Sequence, residues 1–318
     1  MIKNEEQFID FLSKNYESIS QIPTNWLGVG DDAAIIKLDS DELIFCADAV
    51  VQDVHFRKDT DFFNVGWKAI VSNQSDIAAM GGHPLAFTIT LGINKNITKK
   101  QLTDLYKGMD SASKKYGGYL VGGDIVRSKE IFISISAIGK NFLNKKSLRR
   151  DKANLGDVVA ITGEIGNSIA GFEMIEANNS ISNKQTKKFL EPIPRINEGK
   201  AAIESGIICG MDISDGLSKD LRRISESSNV KIEIDFDKIP YDNFLKEYFK
   251  KNLENKILTS GEEYELILIA PISKIKTLKE KINISIIGKV TGNKDPELIF
   301  YKNNKKINLT SESFDHFG

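Results

Sequence analysis

The chain has 318 residues, 41% hydrophobic and 27% charged, the make-up of an ordinary globular protein long enough for two domains. Its 43 Lys and Arg against 44 Asp and Glu leave a net charge of −1, which argues against a chain built mainly to bind nucleic acid. Two cysteines, Cys46 and Cys209, exclude a disulfide framework and suit a reducing compartment. The first residues, Met1-Ile2-Lys3-Asn4-Glu5-Glu6, show no apolar run of the secretory kind, so no signal is expected. The uncharged stretch 77–94 is broken by Gly81-Gly82-His83-Pro84 and reads as a helix end followed by a strand, not a membrane span. A cytoplasmic protein is expected, without membrane or nucleic-acid partners.

Residues 5–16 carry Phe8, Ile9, Phe11 and Leu12 at helical spacing. The apolar runs 33–38 and 43–47, joined by Asp39-Ser40-Asp41-Glu42, predict a hairpin. A helix follows over 62–80, closed by Gly81-Gly82, then a strand over 85–93, a helix over 98–116 and an alternating strand over 131–138. The first half therefore reads as α+β. The polar, basic stretch 140–154 marks the expected boundary, giving domains 1–145 and 146–318. Beyond it the spacing predicts strands at 158–162, 232–236, 264–270 and 284–287, and helices at 167–177, 197–205 and 217–227. The segment 178–188 reads as polar, and Glu191-Pro192-Ile193-Pro194-Arg195 as a stiff connector.

Aspartate recurs beside glycine at the ends of apolar runs. The instances are Gly30-Asp31-Asp32, Ala47-Asp48, Gly123-Asp124 and Asp212-Ile213-Ser214-Asp215-Gly216, with Gly261-Glu262-Glu263 ahead of a strand. Asp76 lies late in an apolar helix, where an ionised group is costly unless paired or bound to a metal. Hard oxygen ligands at strand ends suit Mg²⁺ on phosphates, and gathered carboxylates repel one another unless cations lie between them. Each aspartate alone also suits a turn or a helix cap. No G-x-x-x-x-G-K-[ST] and no H-R-D…D-F-G set is present, and His55, His83 and His316 lack zinc spacing. The cysteines, in apolar runs without basic neighbours, read as inert core thiols.

In this order the motifs resemble the thiamine-monophosphate kinase family, within the aminoimidazole ribonucleotide synthetase-like ATP-binding superfamily. The specific parts are Gly28-Val29-Gly30-Asp31-Asp32-Ala33, Asp48 with His55-Phe56, Ser75-Asp76-Ile77-Ala78-Ala79-Met80-Gly81, Gly122-Gly123-Asp124, Pro192-Ile193-Pro194-Arg195, Asp212-Ile213-Ser214-Asp215-Gly216-Leu217, Ser260-Gly261-Glu262-Glu263-Tyr264 and Phe314-Asp315-His316-Phe317. The resemblance runs from Gly28 to the C-terminus. It implies the two-domain fold of that superfamily, with an N-terminal mixed helix and sheet domain that pairs across a homodimer and a C-terminal α/β domain. The implied reaction is ATP-dependent phosphorylation of thiamine monophosphate to thiamine diphosphate, the acceptor being an anionic phosphate oxygen that needs no side-chain base. Asp32, Asp48, Asp76, Asp124 and Asp212 are implied as ligands of several Mg²⁺ ions and Asp215 as the ligand of a further one. Gly123, Asp124, Arg150 and Ser214 are implied to contact ATP, and His55, Glu262 and Phe314 the thiamine phosphate. Bland readings stand beside these: Arg150 as part of a solvated basic run, His55 as a packed histidine, Glu262 as an exposed turn and Phe314 as a docked tail.

One departure is visible. The family commonly has a hydroxyl residue just before the aspartate equivalent to Asp48, where Cys46-Ala47 stand here. Another ATP-using enzyme of the superfamily, a non-catalytic nucleotide or metal sensor, and a metal-dependent phosphohydrolase are the competing readings.

Overall fold

The computed structural model describes residues 22–38, 41–142, 146–177 and 183–307, with positions 7, 9, 14, 15 and 309. Of the expected helix over 5–16 only positions 7, 9, 14 and 15 are described, and these are helical; the middle of the first hairpin turn and the 314–317 tail lie outside the described residues. Strands β1 (Ala34–Leu38) and β2 (Asp41–Val51) pair antiparallel, as the apolar runs predict. Helix α1 (Phe62–Ala79) follows, then β3 (Gly82–Ile93), α2 (Lys99–Tyr116), β4 (Tyr119–Arg127) and β5 (Phe132–Asn141). The sheet order is β1-β2-β5-β3-β4, with β3 and β4 parallel across the α2 crossover and the other neighbours antiparallel.

Alternation decides which side of this sheet is covered. Ile44, Cys46 and Val50 on β2, Phe87, Ile89 and Leu91 on β3, and Ile133, Ile135 and Ala137 on β5 are buried in one core with Ile70 and Ile77 of α1 and Leu105 and Met109 of α2. Phe45, Ala47, Thr88 and Thr90 point the other way and are exposed. Among the described residues strand β4 is an edge strand, with Tyr119 78% and Val121 and Ile125 each 62% exposed. Helices α1 and α2 approach closely because both contact points are glycine. A Cβ on Gly66 would lie 1.9 Å from the Leu105 carbonyl oxygen, and one on Gly108 would lie 1.9 Å from that of Phe63.

The second half builds a seven-stranded sheet from β6 (Val158–Thr162), β7 (Cys209–Asp212), β8 (Val230–Asp235), β9 (Leu266–Ala270), β10 (Ile284–Asn293), β11 (Glu297–Lys302) and β12 (Lys305–Ile307). Its order is β12-β11-β8-β10-β6-β9-β7. Helices α3 (Asn167–Glu176), α4 (Lys184–Leu190), α5 (Ile196–Glu204), α6 (Leu217–Ser228), α7 (Phe244–Phe249), α8 (Leu253–Leu258) and α9 (Ile272–Lys279) complete it. The architecture is α+β with two mixed sheets. Helix α4 falls where the composition reads as a polar segment. Its polar face hid a capping box at Asn183 and Thr186, and it buries Gln185 and Thr186. Strand β9 begins at Leu266, not 264, because Tyr264 takes a left-handed φ of 51° that ends extended pairing.

Candidate active site

The carboxylates come from element ends that point at one recess. Asp32 stands two residues before β1, Asp48 on the inner face of β2, Asp76 in the last turn of α1 and Asp212 at the end of β7. Ligand atoms of Asp32, Asp76 and Asp212 lie within 4.8 Å of one another. The Ser75 hydroxyl donates to Asp212 Oδ2 at 2.6 Å. Asp32 Oδ2 and Asp212 Oδ1 are buried without a hydrogen-bond partner among the described residues. Burial, then the charges of Asp48, Asp212 and Asp32, push Asp76 well above the usual carboxylate range, and burial followed by Asp32 does the same to Asp212. Two orphaned buried oxygens among crowded carboxylates fit hard divalent cations such as Mg²⁺. The Cys46 thiol faces the same recess and is pushed up by burial, then by Asp76 and Asp48, so it is held neutral.

Arg150 reaches this cluster from a short 3₁₀ turn, Arg150–Lys152. Its Nη2 donates to Asp32 Oδ1 at 2.6 Å, and its backbone N–H donates to Asp31 Oδ2 at 3.1 Å. Asp31 therefore orients the arginine that the motif reading assigned to ATP. Ser214 and Asp215 occupy the turn between β7 and α6. Asp220 Oδ2, fully buried, accepts from three successive backbone N–H groups, those of Ser214, Asp215 and Gly216 at 3.1–3.2 Å. Those amides are consumed internally, so a phosphate at this turn must be held by cations and side chains. Arg223 ties Asp215 and Asp220 together at 2.7 and 3.1 Å.

Next to the cluster opens a cavity of about 1060 Å³, lined among others by Asp48, His55, Lys68, Ser214, Asp215 and Glu262. His55 Nδ1 accepts from the Val51 N–H at 3.1 Å, which leaves Nε2 as the protonated nitrogen of the neutral ring. Glu262 adopts φ 54°, a left-handed conformation that costs a non-glycine residue about 1 kcal/mol. Its N–H donates to the Ser214 carbonyl at 2.7 Å, and that of Tyr264 to the Ile213 carbonyl at 2.8 Å. Behind them, Glu265 is locked by Arg195 and Lys188, each at 2.6 Å, and by Thr162.

Gly123 and Asp124 lie apart from this recess within the chain. Across the first sheet Asp48 pairs with Ile135, Ile135 with Ile89, and Ile89 with Gly123. Three strand spacings separate the ends of that row, about 14 Å. Asp124 pairs with Thr90 on the opposite, exposed face, and its Oδ1 accepts from the Ile125 N–H at 2.8 Å. Phe314 lies outside the described residues. Motif reading assigned no role to Asp31, Lys68, Asp220 or Arg223. A signal existed for Lys68, since an ammonium within the apolar run 62–80 carries the same burial cost as Asp76.

The model of the AIR synthase related protein N-terminal domain matches residues 30–141, and that of the C-terminal domain matches residues 154–300. The thiamine-monophosphate kinase of Pyrococcus horikoshii is 35% identical, covering 88% of this chain and 87% of its own. The chain belongs to the thiamine-monophosphate kinase family. The Bacillus subtilis member of the family is 31% identical over 92% of this chain and 93% of its own. Among solved structures, AaThiL complexed with AMPPCP and TMP superposes with a TM-score of 0.86 at 29% identity, covering 98% of this chain and 97% of that one. No helix among the described residues is long and apolar enough to cross a membrane.

Proposed function

We propose that the protein transfers the γ-phosphoryl group of ATP to the phosphate of thiamine monophosphate, giving thiamine diphosphate and ADP. The observation that carries this reading is the carboxylate cluster of Asp32, Asp76 and Asp212, with two orphaned oxygens, opening beside the cavity that holds His55 and Glu262. Family membership supplies the substrates. Asp32, Asp48, Asp76 and Asp212 would hold Mg²⁺, and Asp215 a further ion. Bound there, Mg²⁺ would neutralise phosphate oxygens and keep donor and acceptor in line.

The chain's own groups do the rest. Arg150, pre-aimed by Asp31 and Asp32, offers a guanidinium fork to phosphate oxygens, and Ser214 holds the nucleotide side of the turn. His55 donates from Nε2 toward the acceptor phosphate, Glu262 receives an amine of the acceptor, and Phe314 covers its flat ring. The acceptor oxygen is already anionic, so no base is required, and the buried thiols of Cys46 and Cys209 take no part.

A homodimer completes this reading. Among the described residues, no element covers one face of the first sheet and β4 pairs with β3 alone, an arrangement that a second copy satisfies. Pairing there would bring Gly123 and Asp124 of one subunit toward the nucleotide of the other. The chain divides near residue 146, between the two sheets. Dependence on ATP and the two free, buried thiols suit a cytoplasmic setting.

The test is an end-point assay with ATP, Mg²⁺ and thiamine monophosphate, reading thiamine diphosphate and ADP together. Equal yields of both, abolished by EDTA, are expected. ADP without thiamine diphosphate would move the acceptor elsewhere, free phosphate would make the protein a hydrolase, and neither product would leave a sensor.

A further inference from the structure

Lys68 is an unusual residue for its place. It sits in the second turn of α1, and its side chain is only 7% exposed. An ammonium removed from water costs several kcal/mol unless strongly paired. Its Nζ lies 3.1 Å from both Oε atoms of Glu262 and 3.5 Å above the centre of the Phe189 ring. Three segments remote in sequence, α1, α4 and the turn before β9, thus meet at one ammonium.

The Glu262 side chain, 29% exposed, opens to the cavity beyond this pair. Each carboxylate oxygen has two lone-pair directions, and the ammonium takes one on each. The remaining directions accept N–H donors. Lys68 itself is too buried to reach an acceptor phosphate, and its ammonium already covers one face of the Phe189 ring. Glu262 is further held by its left-handed backbone and its N–H bond to Ser214, so its carboxylate is fixed at both ends.

We propose that Lys68 is a positioning residue that determines acceptor specificity: it fixes the Glu262 carboxylate at the angle that accepts the ring-bound amine of an aminopyrimidine. The inference rests on the acceptor named above and adds the group that reads its heterocyclic end. Phe189 acts as the backstop that keeps the ammonium on Glu262.

The test compares Lys68→Met, Glu262→Gln and the double variant, in the full chain with Mg²⁺ and ATP. The acceptors are thiamine monophosphate and its 4-oxo analogue, in which a carbonyl replaces the amine. Wild type should prefer the amine by about 100-fold in kcat/KM, because the oxo compound leaves the carboxylate facing an acceptor. Lys68→Met should raise KM for thiamine monophosphate about 10-fold with kcat within about threefold and KM for ATP unchanged, and should narrow the preference below about 10-fold. The double variant should be no worse than Glu262→Gln alone. A lowered melting temperature with KM and preference intact would make the pair a mere strut and overturn the proposal. Should Lys68→Met fail to fold, Phe189→Leu serves: a several-fold rise in KM with a narrowed preference supports the assignment, and an unchanged preference overturns it. Wild type inactive on thiamine monophosphate would sink the kinase reading itself, whereas an active wild type with an indifferent Lys68→Met would sink this inference alone.

Discussion

Asp76 and Asp212 crowd oxygens that repel one another when ionised, and either protons or cations must relieve that arrangement. Asp76→Asn and Asp212→Asn should therefore keep the fold while turnover falls by about 100-fold or more and the Mg²⁺ titration shifts to higher concentration. Turnover near wild type in either variant would take that residue out of the cluster. Asp76 could be singled out in the sequence because a charge in an apolar helix has few explanations. Asp31 and Asp220 could not. Each is one more Asp in a turn, and its role lies in which distant amide or guanidinium it meets: Arg150 is 119 residues from Asp31.

At the scale of elements, the long periodic segments were readable because burial on one face imposes a period of 3.6 or 2. α1, α2 and β6 fall within a residue or so of their expected limits. Short elements such as α7, α8, β11 and β12 were missed, since they hold too little period to stand out and lack the nearly unbroken apolar run that marked the equally short β6. The α1–α2 contact depends on two reciprocal glycines that no periodicity marks. Gly108→Ala would drive a methyl into the Phe63 carbonyl, and the helices must separate. A loss of about 2 kcal/mol or more is expected, read as a lower midpoint in urea.

Over the whole molecule, buried carboxyls set the pH response. Burial, then Asp32, pushes Asp31 up to about 7, burial, then Asp215, does the same to Asp220, and burial to Glu263. In the unfolded chain such groups titrate near pH 4. Between about pH 4 and 7 the folded protein therefore holds more protons than the unfolded chain, and its stability declines as pH rises through that window. The melting temperature without metal should fall from about pH 5 to about pH 7.5, and millimolar Mg²⁺ should raise it more at the higher pH, where binding displaces fewer protons. A melting temperature that climbs over this range without metal would contradict the account. Separation of Asp124 from the cluster calls for a second test. Asp124→Asn and Asp212→Asn subunits, each inactive, should on mixing regain on the order of a quarter of wild-type activity, since half the dimers then carry one intact site. No recovery despite subunit exchange would place Asp124 in the site of its own chain.

The sequence alone determined the α+β class, the aspartate motifs and the family, because these depend on local period and on residue types in a fixed order. Only the tertiary structure decided which aspartates share a recess. It set Asp124 on the opposite face of the sheet from Asp48, spent three amides of the Ser214 turn on Asp220, and joined Lys68 to Glu262 across 194 positions. Those outcomes depend on strand register and helix packing, which bring distant segments within hydrogen-bond reach, and no spacing along the chain encodes a distance in space.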